Sequence, residues 1–365
     1  MSKYISQYSA SDLLEKLSEK GFVEHNNKDI TNFIIKQQQD KELPLYLRAL
    51  VGVGALIVSC CFMGMITFLL TDKWTFIFPG VLFIASAIGL LKLSGDDNTI
   101  KNSVLMQSSF AFMATGKLLF TMGMVHSIGS DWGSTIALLI VTAATYHVYC
   151  MSIDRFLSTF SVFFSILVNI IWYTDLAGSK ELLLNVFMAL QVAGAAVLIA
   201  NVKITRDYIP LMYGLLFSLC ASTVLLASYS KLGYWSHEDF INITFINLLF
   251  TLGLIAAIIW IAGGKIEKLK SEPFMLALLG TVLLGFISAP GIILSIILMV
   301  VGYAKHEKFM VAMGALLVPV FLYFYYYNLD MSLMEKSGIL AGSGAVLLVA
   351  RFYIGFKKWD KEGAL

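Results

Sequence analysis

From Tyr46 to Phe356 the chain alternates long apolar runs with short polar breaks. A helix needs about 20 apolar residues to cross a hydrocarbon core of about 30 Å. On that measure the pattern predicts twelve spans, over 46–70, 74–92, 103–127, 134–151, 156–174, 182–201, 208–229, 240–263, 273–289, 290–304, 309–327 and 338–356. The stretch 273–304 is too long for one crossing at about 1.5 Å of rise per residue. Ala289-Pro290-Gly291 can reverse the chain, so the stretch reads as a hairpin. Lys265, Lys268 and Lys270 precede it and Lys305 and Lys308 follow it. A hairpin keeps both clusters on one side.

Residues 1–45 differ in kind. Leu13, Leu14 and Leu17 fall at helical spacing after Ser11-Asp12, and Gly21 stops the run. Ile30, Phe33 and Ile34 repeat the spacing after Asn26-Asn27, and Leu43-Pro44 ends it. The reading is a pair of short amphipathic helices, cytoplasmic, ahead of a transmembrane domain over 46–356 and a basic cytoplasmic tail over 357–365. The polar start shows no cleavable signal peptide, so the first span is expected to serve as the targeting element.

Composition agrees. Hydrophobic residues make up 58% of the 365 positions, charged residues 14%, and mean hydropathy is +0.79. A soluble chain carries about 25% charged residues, so this one could not solvate a globular surface. Disordered, collagen-like and disulfide-rich classes are excluded by the same figures. The expected fold is all-α, a polytopic helical membrane bundle. Its expected partner is the lipid bilayer; nucleic acid is not expected.

The net charge of +2 matters less than its distribution. On the side of the N-terminus lie seventeen basic residues: Lys36, Lys41, Arg48, Lys92, Lys101, Arg155, Lys203, Arg206, Lys265, Lys268, Lys270, Lys305, Lys308, Arg351, Lys357, Lys358 and Lys361. The opposite loops hold Lys73, Lys180, Lys231 and Lys336. The positive-inside rule then places both termini in the cytoplasm, as expected of a multi-pass protein of a cytoplasmic (inner) membrane. Trp74, Trp132, Trp172 and Trp235 sit beside the outer loops, as interfacial anchors do.

Candidate chemistry is sparse. No carboxylate lies mid-span, whereas proton-coupled carriers usually keep an intramembrane acid or His relay. Lys117 lies about mid-span in the third helix, near Gln107, Ser108, Thr115, Thr121 and His126. An intramembrane lysine normally faces the bundle interior or a cavity. It reads either as a contact for an anion or other substrate, or as a lysine held by helix carbonyls. His147 is expected near Gln107 and Ser108 if the third and fourth spans pack antiparallel, as a polar gate or a structural histidine. Asn169, Asn185, Gln191, Asn242 and Asn247 also fall within or near spans and are of the type that links helices. Cys60, Cys61, Cys150 and Cys220 lie in apolar stretches and read as small hydrophobes. Walker and HExxH motifs are missing. No catalytic residue, metal site or cofactor is expected, and the chain does not read as an enzyme.

One stretch carries a family resemblance. It runs Phe324-Tyr325-Tyr326-Tyr327-Asn328-Leu329-Asp330, then Leu333-Met334-Glu335-Lys336-Ser337, then a glycine-bearing apolar helix ending at Arg351. Together with Leu13, Leu14, Leu17 and Gly21-Phe22-Val23, it resembles an uncharacterised bacterial family of predicted integral membrane proteins, catalogued as a domain of unknown function. Members of that family are often encoded beside a small membrane-anchored protein with a GDYXXLXY motif. The resemblance therefore implies such a protein as a partner, with Asp330 and Lys336 as candidate contacts, and implies no catalytic residues. Two functions follow as expectations: transporter-like movement of a small solute at Lys117, Gln107, Ser108 and His147, or a non-catalytic membrane scaffold that binds the small partner.

Overall fold

The computed structural model describes residues 76–94, 100–173, 179–201, 208–229, 244–263, 271–328 and 332–356, with isolated positions at 54, 57, 61, 64 and 65. The expected N-terminal helix pair, the first span (apart from those isolated positions) and the basic tail lie outside the described residues. Among the described residues there are eleven helices and no strand. They are α1 (Ile77–Leu93), α2 (Ile100–Ile128), α3 (Trp132–Tyr146), α4 (Ser152–Trp172), α5 (Ser179–Ala200), α6 (Ile209–Tyr229), α7 (Thr244–Ile261), α8 (Glu272–Ile287), α9 (Pro290–Ala304), α10 (Lys308–Asn328) and α11 (Leu333–Phe356). Each falls on one of the expected spans.

Six of them are long and apolar enough to cross a membrane: Leu105–Ile128 within α2, then α4, α5, Ile209–Ser228 of α6, α7, and Lys308–Tyr327 of α10. No more than 56% of any such window is buried. The rest is apolar and outward-facing, as in Leu248 and Leu252 of α7 and Leu190 of α5. Four further apolar helices, α1, α3, α8 and α9, are shorter.

The chain divides into two compact units, 1–137 with 147–149, and 138–146 with 150–365. The first holds the α1–α2 hairpin, and small residues explain its closeness. A β-carbon on Gly80 would lie 2.7 Å from the Phe120 backbone nitrogen. One on Gly116 would lie 2.9 Å from the Gly80 carbonyl, and one on Gly123 would lie 2.9 Å from the Ile77 nitrogen. Ser109 Oγ donates to the Ala87 carbonyl at 2.7 Å. On α2 the facing positions are Ser109, Met113, Gly116, Phe120 and Gly123; on α1 they are Ile77, Gly80, Ile84 and Ala87. Spacings alternate between three and four, the heptad register of antiparallel helices crossing at a shallow angle. Within α1 the buried residues are Gly80 and Ala87, seven positions apart.

The second unit repeats this device. α9 presents Gly291, Ser295, Leu298 and Gly302 to Met310, Gly314, Leu317 and Phe321 of α10. A β-carbon on Gly314 would lie 2.7 Å from the Ser295 carbonyl, and one on Gly302 would lie 2.9 Å from the Val311 nitrogen. Only Lys305, His306 and Glu307 join the two helices. The Glu307 amide bonds the Gly302 carbonyl at 2.9 Å and the His306 amide bonds Tyr303 at 3.1 Å. That is a Schellman stop, but with His306 at φ 58° where glycine is usual.

The stretch 273–304 is broken at Ser288-Ala289, and Pro290 opens α9, since the N–H that proline lacks is one a first turn does not use. α8 and α9 are antiparallel, because α7 runs against one and along the other. Asn247 and Thr251 meet Gly285 of α8, while Gly253 meets Ile297 of α9. In the same unit, Gln191 of α5 donates to Ser218 of α6 at 2.9 Å, and Ser222 adds a longer bond at 3.5 Å. All three are fully buried. Gly214 of α6 lies against the Phe156 carbonyl and Thr159 of α4.

Two helix limits differ from the sequence expectation. α3 ends at Tyr146 rather than 151, because Arg155 Nε donates to the Tyr146 carbonyl at 2.8 Å and its guanidinium lies 4.9 Å from that ring. The terminal carbonyl is thereby satisfied from outside the helix. α11 starts at Leu333 rather than 338, because Ser332 and Glu335 close a capping box. The Ser332 amide and hydroxyl both donate to Glu335 Oε2 at 2.9 Å, and the Glu335 amide faces Ser332 Oγ at 3.4 Å.

Candidate functional site

Lys117, Gln107, Ser108 and His147 do not line the cavities described below. Lys117 is buried, at 8% exposure, on α2, and its backbone carbonyl accepts the Thr121 hydroxyl at 2.7 Å. Gln107 and Ser108 are half-buried on the same helix, ten residues earlier, which is about 15 Å along the axis. His147 caps the C-terminus of α3 and is exposed. The side chain from that turn that reaches α2 is Tyr149, whose hydroxyl lies 2.9 Å from Ser109 Oγ. Ser109 spends its one proton on Ala87, so Tyr149 is the donor of this second bond. Lys336 lies on α11, and Asp330 lies outside the described residues.

The arrangement with the clearest binding character was not among those residues. It lies in the second unit, where the end of α6, the start of α7, the α8–α9 turn and the end of α10 surround a cavity of about 440 Å³. Its construction begins with α8. The last carbonyls of a helix have no intrahelical donor, and Gly285 is in that last turn. Asn247 Nδ2 caps it at 2.6 Å. The approach needs glycine, because a β-carbon at 285 would lie 2.7 Å from Thr251 Oγ1. Thr251 in turn donates to the Asn247 carbonyl at 2.7 Å.

Fixing the Asn247 amide this way leaves its Oδ1 buried with no hydrogen-bond partner. A buried amide oxygen without a donor costs about 1–3 kcal/mol, so a native protein rarely keeps one without cause. Asn247 lines the cavity together with Thr223, Ser288 and Tyr325, against the rings of Phe321 and Phe324. None of the lining residues carries a formal charge. Thr223 Oγ1 already donates to Cys220 at 2.9 Å, and can only accept. The chemistry offered is one unsatisfied acceptor in a largely apolar, aromatic surround, the usual make-up of a small-molecule site. It suits an uncharged molecule with an N–H or O–H to give. Among the described residues no group of three or more His, Cys, Asp or Glu is placed to hold a metal.

Sequence reasoning grouped Asn247 with the helix-linking polar residues. The link to α8 is real, but one half of the amide is left over. A signal existed in the spacing of Asn247 and Thr251, one turn apart, with Gly285 near the end of an apolar run. Their meeting across 38 positions was not legible.

Among the described residues the chain is all-helical, and six helices of membrane-crossing length and apolarity make it a helical membrane protein of the multi-spanning class. Residues 44–355 match the family described as Domain of unknown function (DUF4401), and the chain belongs to that family. No curated protein and no solved structure matches it.

Proposed function

We propose that the protein is a transporter-like carrier of the cytoplasmic (inner) membrane, with twelve spans and both termini cytoplasmic, which takes a small uncharged solute at the Asn247 cavity and catalyses no reaction. The unpartnered Asn247 Oδ1 carries this reading, since a solute donor would satisfy it. The basic residues support the orientation: Arg155, Lys305 and Lys308 gather at the end of the second unit opposite the cavity, so the cavity belongs to the outer side. The Ser288-Ala289-Pro290 turn that joins α8 to α9 borders the cavity, and irregular backbone at a helix end is tolerated where it lines a cavity.

The test is a thermal-shift panel of small uncharged hydrogen-bond donors (amides, polyols, nucleosides) on detergent-purified protein, followed by counterflow of any stabilising compound in proteoliposomes. Stabilisation by one chemical class, lost in Asn247→Leu, is expected. Equal stabilisation of the variant, or none across the panel, counts against the reading. A mild-detergent pull-down separates the alternative: stoichiometric recovery of a small membrane-anchored GDYXXLXY protein, unchanged in Asn247→Leu, would favour the scaffold.

A further inference from the structure

A second concavity lies at the other end of the same unit, between α5, α7 and α9, with a volume of about 270 Å³. It exists because small residues face one another there: Ala196 and Ala200 on α5, Gly253 and Ala257 on α7. Ala196 and Ala200 are exposed, so the groove opens sideways, toward the surface that six membrane-length helices present to lipid. In water such a groove would collapse or bind another protein. In a bilayer the surrounding hydrocarbon is always there to fill it.

Its length is informative. On α7 the lining runs from Phe250 to Trp260, about 15 Å at helical rise. That is half of a hydrocarbon core of about 30 Å, the depth of one leaflet. Its end is informative too. Lys305 Nζ donates to the Ile199 carbonyl and lies 5.4 Å from the Trp260 ring. Both partners line the groove, and both are neutral, so neither cancels the charge. An ammonium and an indole at the mouth of an acyl-length groove form the pair expected at a lipid headgroup. Glu307, at the same end, takes the Tyr213 hydroxyl at 3.3 Å, and Lys308 adds a second exposed cation.

We infer that the α5–α7–α9 groove holds one acyl chain of an anionic phospholipid of the cytoplasmic leaflet, with the headgroup phosphate at Lys305. This does not rest on the solute reading of the Asn247 cavity. The lipid would fasten three helices across a groove that small side chains leave open, and would tie the stability of this end to the anionic fraction of the membrane.

The test is native mass spectrometry of the delipidated full chain titrated with phosphatidylglycerol or with phosphatidylcholine of identical chains. One saturable phosphatidylglycerol adduct is expected, favoured about fivefold over phosphatidylcholine, the preference that one interfacial cation supplies. Lys305→Gln should lower the preference, with Lys308 supplying what remains, and keep the weaker adduct. Gly253→Leu should abolish the saturable adduct with both lipids; a side chain is tolerated there, since a β-carbon would meet only Ile297 Cδ1 at 3.7 Å. This variant keeps Lys305, so it tests the groove even if Lys305→Gln unfolds. Equal binding of the two lipids by the unaltered protein, or adducts unchanged in Gly253→Leu, would overturn the proposal. So would saturation by glycerol phosphate in place of the lipid.

Discussion

Gly291 lies directly beneath the ring of Phe321, so close that a β-carbon at 291 would fall 2.6 Å from the ring Cγ. Phe321 is 1% exposed. The contact holds the first turn of α9 against α10 in the wall of the Asn247 cavity. Gly291→Ala is expected to lower the unfolding midpoint in detergent, by about 1–3 kcal/mol for an overpacked core. In the double variant with Phe321→Leu the loss should be smaller than the sum of the singles. Strict additivity would show that the two residues do not touch.

The α1–α2 hairpin offers a matched comparison. Gly116→Val drives side-chain atoms into the Gly80 carbonyl and the Ile84 backbone, whereas nothing lies within 4 Å of a β-carbon on Gly89 of the same hairpin. The first should cost about 3 kcal/mol or more and the second, as Gly89→Ala, about nothing or a small gain. Thermal unfolding of the two variants checks this, and similar midpoints would refute the heptad packing.

His306 holds a left-handed backbone at the stop of α9, a conformation that costs an L-residue about 1–2 kcal/mol. His306→Gly should therefore stabilise the α9–α10 turn by about 1 kcal/mol. An unchanged or lower midpoint would mean that the imidazole makes a contact worth as much as the strain.

Glu335 is pulled below the ordinary carboxylate range, first by the Ser332 amide and then by the Ser332 hydroxyl, both of which bond its carboxylate. A depressed folded-state value means that the cap contributes fully above the free-chain value of about 4.3, and its contribution falls away as pH drops through the lowered value. Carbon chemical shifts of Glu335 titrated from pH 6 to pH 2 should give a midpoint below the free-chain value. Ser332→Ala removes the hydroxyl and keeps the amide, so the midpoint should rise only part of the way toward that value, and a midpoint unmoved by the change would exclude the hydroxyl's bond to Glu335.

Much of the helix order was legible because its signals are local. Apolar runs of about twenty residues and the Ala289-Pro290 break mark helices whichever neighbours they meet. Limits set from a distance were not: α3 stops where Arg155, nine residues on, takes the Tyr146 carbonyl. The α11 cap was readable in Ser332-Leu333-Met334-Glu335, yet hydropathy alone starts that helix five residues late. At the candidate site, Lys117 drew notice as a charge in an apolar run. Asn247 drew little, because a lone amide shows its unmet oxygen only when Gly285 is seen to occupy its nitrogen.

The two glycine-lined hairpins also bear on the order of assembly. Each joins helices that are consecutive in the chain, and the α9–α10 connection is three residues long. Their mating surfaces are complete as soon as the second leg has been made, with little loop to close. Such pairs can leave the translocation machinery already zipped. Contacts such as the Gln191–Ser218 link between α5 and α6, or α7 against its two later neighbours, then form among units that no longer need to search for their own partners.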